Sequence, residues 1–529
     1  MSYKRWLVLS AALLLPLSLS ACGTNASQGS TTTALAITSK PHVGGTLTIG
    51  MKGDALTLDP MLTTDEYSKP VESLLYNSLV KLGPNQQVEP DLASQWQVSS
   101  NGLVYTFHLR SNVAFHQGGT MTAADVVYSF HRLMSPQLAS PWASFFQTVK
   151  TVQALNNTTV QVTLSQPDAA FLPVVASFFV VMNPTFVEQH QGNLQRVEDG
   201  TGPYMLSQWI PNESITLVRN PHYFIHGEPY FQKIVFQIIP STTARIAALQ
   251  SGEIQFAEFS DPKHFSQLET MADSHTIVAQ RYLSSDYNMF GFNTQWGPFR
   301  HQKVRLAFSY AINREAILAS AGFNQGQVTG ILTPALSRWA IPTSDYPSYT
   351  QNLATAKRLL KEAGYPHGFS FNIMAPPTLP MDEASAVVIA NELQAIGVTA
   401  HVIPTEWGTY VNNWVKRNFE SFTGLNSDWT DPDLAMYAAL HTGGSTNAFQ
   451  FSNEQVNQLL QEGQATQGFS QRYQIYSQLQ KLVVQQSPML FTFAGYDLFG
   501  MSPKVEGYVH VPGDPFATLA AAWFAQSKS

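Results

Sequence analysis

Two spacings of apolar residues take turns along this chain. YTFHLR (105–110) sets Tyr, Phe and Leu against Thr, His and Arg, the alternation of a half-buried strand. TTVQVTLS (158–165) repeats it with Val160, Val162 and Leu164. GGTLTIG (44–50) reads as the first strand of the folded body, with Leu47 and Ile49 on one face. KIVFQIIP (233–240) is a strand stopped by proline. Between these the spacing becomes helical. Val126, Val127, Phe130 and Leu133 share a face after a start near Thr122, and Ile246 with Leu249 face inward on a helix ended by Gly252.

The second half continues the alternation. A helix from about His301 carries Val304, Ala307, Phe308 and Ala311, and another from about Leu353 ends at Gly364. FSFNIMA (369–375) and VTAHVIP (398–404) are strands flanking a helix from about Asp382 to Gly397. Ser452 and Gln455 are expected to form a capping box for the helix carrying Val456, Leu459 and Leu460. Strands and helices alternate throughout, so the class is α/β in more than one lobe. No fixed-period repeat suggests a solenoid.

Composition narrows the function. The 529 residues are 44% hydrophobic and only 12% charged, with a formal net charge of -7. Large cores are possible and a disordered chain is excluded. No long basic run offers a footprint for nucleic acid.

Lys4 and Arg5 precede an apolar run at residues 6–19, which reads as a secretion signal and is short for a membrane span of about 20 residues. Leu19-Ser20-Ala21-Cys22 resembles the bacterial lipobox, in which small residues admit a signal peptidase and the thiol accepts a diacylglycerol group. Cys22 is the only cysteine, so it has no intrachain disulfide partner. The expectation is residues 1–22 as a lipoprotein signal and residues 23–43 as a flexible tether. The protein would then sit at the outer face of the cytoplasmic membrane or in the periplasm, held by lipid on Cys22.

Several stretches now point one way. VEPDLASQWQVSSNGLVYTFHLRSNVAFHQGGTMTAADVVYSFHRL (88–133) resembles the signature of family 5 extracellular solute-binding proteins, the peptide- and nickel-binding receptors of bacterial ABC importers. GTGPYMLSQW (200–209), LVRNPHYF (217–224), FGFNTQWGPFRHQKVRLAFSYAINREAIL (290–318), LLKEAGYPHGF (359–369) and EWGTY (406–410) resemble its later blocks. The resemblance implies a two-lobed periplasmic-binding-protein-like fold of the large class, with a hinge between lobes and a discontinuous first lobe. Lobe I would span residues 44–282, with a subdomain at about 80–193, and lobe II residues 283–488. Residues 489–529 would return to lobe I, the crossings lying near 280–287 and 488–493. The implied partners are a peptide or peptide-like solute and ABC permease subunits with cytoplasmic ATPases. The protein itself would be a monomer with no cofactor.

The site expectation centres on GLNSDWTDPD (424–433). In peptide-binding members, an aspartate in a segment like GWTxDxxDPD pairs with the ligand's α-ammonium. Aligned on Gly424 and on Asp431-Pro432, that residue is Asp428. A buried ammonium needs a charged partner, which a carboxylate supplies. Asp431 and Asp433 read as structural, since Asp and Pro start turns and helices. Trp407 matches a pocket-lining tryptophan of the family, the alternative being a core aromatic. Trp429 would stack on a ligand side chain or pack, and Asn426 is grouped with them as ligand-binding. Asn293 reads as structural.

The chain departs from the dipeptide receptors. Their carboxylate-binding arginine has no counterpart in MAPPTLPMDEASAV (374–387). Phe422 stands where some oligopeptide receptors have an arginine, and Leu425 replaces the family's tryptophan. A longer peptide, a nickel complex, an opine or an oligosaccharide therefore stay open as solutes. The fourteen histidines are scattered, and Pro221 argues against a metal-binding helix face with His222 and His226. Neither a G-x-S-x-G elbow nor a phosphate loop is present. A secreted hydrolase working through Asp428 and a second acid is the weaker alternative, and no enzyme is expected.

Overall fold

The computed structural model describes residues 39–426 and 430–526. Its first sheet has eight described strands. Seven run in the order Val278–Leu283, Phe493–Met501, Phe256–Phe259, Thr46–Met51, Lys233–Ile238, Ser214–Arg219, Tyr204–Ile210. The eighth, Gly326–Val328, pairs with the start of Phe493–Met501. Thr46–Met51 lies parallel to both neighbours, and its alternate residues Leu47 and Ile49 are fully buried. The second sheet runs Thr399–Pro404, Ser370–Ala375, Ser421–Asn426, Tyr287–Phe292, Met489–Phe491. Its first three strands are parallel and the rest antiparallel. A third, antiparallel sheet joins Ala93–Val98, Val104–Leu109, Thr159–Leu164 and Val149–Asn156. Tyr105 and Phe107 turn their apolar side into its core, as the alternation requires.

The chain changes sheet twice at neighbouring points. Val278–Leu283 belongs to the first sheet and Tyr287–Phe292 to the second, so residues 284–286 cross. Met489–Phe491 and Phe493–Met501 are separated by Thr492 alone, where the chain crosses back. Thr492 is fully buried. Its N–H donates to the Asn288 carbonyl at 3.0 Å, and its hydroxyl lies 2.7 Å from the same oxygen. The return crossing is thus bonded to the strand that follows the first one, and the two lie side by side. Separate cores flank them. In the second, Phe292, Phe299, Phe308 and Phe371 pack tilted or edge-on, with centroids 4.8 to 5.8 Å apart, the arrangement ring quadrupoles favour.

Local signals fix most helix ends. Thr122 caps Ala123–Met134 with Asp125 completing a capping box, and Gly252 ends Thr242–Ser251 at φ +79°. The expected box of Ser452 with Gln455 is corrected. Asn453 is the cap of Glu454–Ala465, its side-chain oxygen accepting the Val456 N–H at 3.0 Å. Asn caps as well as Ser and stands one residue nearer the helix, while Ser452 accepts a hydrogen bond from Thr442. Among the described residues no helix is long and apolar enough to cross a membrane. Cys22 lies outside them.

Candidate functional site

Topology decides where a site can form. Ser421–Asn426 ends beside the first crossing, because Asn426 pairs with Tyr287, the first strand residue after it. Asn426 therefore stands at the carboxyl end of parallel strands, where α/β sheets bind ligands. Asn426 is half-buried, and its Nδ2 donates to the Tyr287 hydroxyl at 2.7 Å. Asp428 and Trp429 lie outside the described residues. The next residue, Thr430, has its hydroxyl 3.2 Å from that of Ser177, on helix Phe171–Phe178. Thr430 thus touches a segment that precedes the first crossing.

Trp407 opens helix Trp407–Lys416, where Glu406 caps the Gly408 and Thr409 N–H groups at 3.0 Å. Trp407 is 47% exposed and its ring stacks on Tyr410 at 5.6 Å. Tyr410 in turn donates to the Thr423 carbonyl at 2.8 Å, which ties Trp407 to the strand leading into the loop. Leu425, at the place of the family's tryptophan, is exposed.

Two adjoining cavities of about 300 and 360 Å³ share Lys69, Lys81, Ser177, Phe178 and Asp514. The smaller reaches the crossing at Ser285 and Asp286 and the second lobe at Thr430. A third, of about 130 Å³, lies along the hinge between Asp286, Asn288, Leu425, Phe493 and Asp497. Trp407 is not among the residues lining them.

Acidic residues gather around the crossing, and Asp286 and Asp497 line the third cavity. Glu258 pairs with Phe499 across the sheet, so it shares a face with Asp497 two residues away. Burial pushes both carboxyls upward, and Glu66 adds to each, opposed at Glu258 by Arg245. Asp286 raises Asp497 further. Burial also lifts Asp382, bonded to the Asn288 amide, to about 7. Sequence reading missed Glu258, Asp382 and Asp497 near the crossing. For Glu258 and Asp497 the signal was an acid inside otherwise apolar strands, FAEF (256–259) and FAGYDLFGM (493–501).

Asp431 and Asp433 are architectural, as expected. Asp431 caps helix Pro432–Leu440 and holds Arg472 through two bonds of 2.7 and 2.8 Å. Asp433 accepts from the Tyr476 hydroxyl at 3.0 Å, and burial followed by neighbouring Asp431 and Asp168 lifts its carboxyl to about 7. Asn293 donates to the Phe419 carbonyl at 2.9 Å and likewise holds the fold. Among the described residues, no group of three or more His, Cys, Asp or Glu could hold a metal.

Two sheets joined by paired crossings, with cavities at the junction, define a two-lobed binding protein. Residues 87–447 match the family described as bacterial extracellular solute-binding proteins, family 5 middle. The chain belongs to that family. It is 25% identical over 551 residues to the oligopeptide-binding protein AppA of Bacillus subtilis, covering 98% of each. It is 28% identical over 545 residues to heme-binding protein A of Haemophilus influenzae, covering 97% of each. The solved structure of the periplasmic binding protein DppA from Helicobacter pylori, in complex with peptide STSA, matches with a TM-score of 0.75. That match has 26% identity over 92% of this chain and 99% of the other.

Proposed function

We propose that this chain captures a peptide outside the cytoplasmic membrane and hands it to the permease subunits of an ABC importer. It does no chemistry, and the partner ATPases supply the energy. The observation that carries the reading is the acidic junction, where Glu66, Asp286, Glu258 and Asp497 gather around the crossing. Such a cleft favours a cationic ligand group. Asp428 would pair with the peptide's terminal ammonium, with Asn426, Trp407 and Trp429 around the ligand. AppA is named for oligopeptides, and DppA holds a tetrapeptide. Lobe I would comprise residues 44–282 and 489–529, and lobe II residues 283–488. A ligand touching both would draw them together, because only the closed state completes its contacts. The receptor would act as a monomer, anchored by acyl chains on Cys22, since two chains hold a protein stably at a membrane.

Mass spectrometry of solute released by denaturing the purified protein tests the ligand. A peptide supports the reading; haem, a nickel complex, an opine or an oligosaccharide overturns it. Cys22→Ser should abolish fatty-acid labelling and membrane partitioning. Wild-type labelling in that variant would contradict the anchor.

A further inference from the structure

The larger cavity extends away from the second lobe, and its lining combines two chemistries. One is aromatic: Trp142, Phe178 and Phe179, with Trp142 stacked on Phe178 at 4.8 Å. The other is acidic, with Asp65, Glu66, Glu72, Asp91 and Asp514 against Lys69 and Lys81. Several of these charges are occupied. Asp65 accepts from the Tyr67 and Ser68 N–H groups at 3.0 and 2.9 Å, and Asp91 from Asn77 and from the Ser78 N–H. Lys69 donates to the Gly513 carbonyl at 2.8 Å. Nearby Asp59 is neutralised by Arg132 at 2.5 Å.

Glu72 differs. It is 5% exposed, lines the cavity, and its Oε1 is buried with no hydrogen-bond partner. A buried acceptor left empty is costly, so such an atom asks for a reason. Burial, then Asp65 and Asp59, keep its carboxyl well above the usual range. The cavity's volume of about 360 Å³ falls within the size range of small-molecule sites. Through Ser177 and Phe178 it adjoins the cavity that reaches Asp286 and Thr430 at the junction of the lobes.

We propose that this cavity is a side-chain subsite for an arginine or lysine of the bound peptide, whose stem lies along the Trp142–Phe178 wall and whose charged end meets Glu72. This rests on the peptide reading and names the residue class it prefers. An aromatic face attracts a passing cation, and a charge-assisted bond fills the empty acceptor.

The test uses the full chain, emptied of solute, and four tetrapeptides of alanine with one arginine placed at each position in turn. Each is compared by calorimetry with its citrulline counterpart, which has the same shape without the charge. At one position or more, the arginine peptide should bind at least tenfold tighter. Glu72→Gln should remove that preference and leave citrulline peptides unaffected. Equal affinity for arginine and citrulline at every position overturns the subsite while leaving the peptide reading standing. So does an arginine preference that survives Glu72→Gln. Failure of every peptide to bind overturns the peptide reading and the subsite with it. The wild-type comparison decides even if the variant does not fold.

Discussion

Asp431 and Glu72 are both buried carboxyls, 2% and 5% exposed, in very different company. Asp431 sits in a closed network. Arg472 grips it with two nitrogens and spends its Nε on the Gly463 carbonyl at 3.1 Å. Its guanidinium lies 5.2 Å from the Trp339 ring. Asp433 beside it is bonded to Tyr476 and Gln464. Glu72 and Asp382 each keep one oxygen without a partner, and burial holds both carboxyls toward the protonated form. Near-identical burial thus serves two ends. An acid with its cation built in is architecture, whereas an acid kept neutral beside a cavity is free to answer a ligand or a change of pH.

The sharpest way to break this contrast is Arg472→Met. It strands Asp431 as an unpaired buried charge, which should cost about 3–5 kcal/mol in urea unfolding. A loss of under about 1 kcal/mol would mean the network is not holding the helices together.

Next in size is Asp382→Asn. The folded carboxyl titrates at about 7, against about 3.9 in an unfolded chain. Between these values the folded state binds more protons, so stability falls as pH rises through the window. Asparagine escapes that loss. The variant should exceed wild type by on the order of 2–4 kcal/mol at pH 8, with the gain gone at pH 4. An equal gain at both values would refute the titration. Asp433 at about 7 and Asp91 at about 6, both raised mainly by burial, have the same sign. His510, pushed down to about 4 by burial, opposes them. The balance predicts a melting temperature that does not collapse between pH 6 and pH 4.

Thr430→Val should have the smallest effect. It removes the hydroxyl pair with Ser177, worth about 0.5–1.5 kcal/mol. Ligand affinity in calorimetry should fall less than about tenfold. A larger drop would move Thr430 from lobe contact to ligand contact.

What the sequence disclosed follows the range of the forces involved. The start near Thr122 and the stop at Gly252 were legible because a cap is made within a few residues. Ser452 stood in for Asn453 because both residue types can cap and only geometry separates them. The strands were legible from alternation, but not their order: Thr46–Met51 pairs with residues nearly two hundred positions away. Glu72 was invisible for the same reason. In KPVESLL it resembles any polar residue on a helix, and its burial comes from partners distant in the chain. Asp428 was readable only through resemblance, since nothing local distinguishes it from Asp431 and Asp433.

Asp428 is the residue on which ligand binding should depend most. Once the native solute is known, calorimetry of that solute against wild type and Asp428→Asn measures the charge alone, because the change is nearly isosteric. Losing one partner of a buried charge pair costs about 2–5 kcal/mol, so affinity should fall more than tenfold while the melting curve stays in place. Asp433→Asn should change binding far less, and N-acetylating a peptide ligand should reproduce the Asp428→Asn loss without adding to it. Wild-type affinity in Asp428→Asn, with the variant folded, would contradict the claim that this aspartate holds the ligand's ammonium.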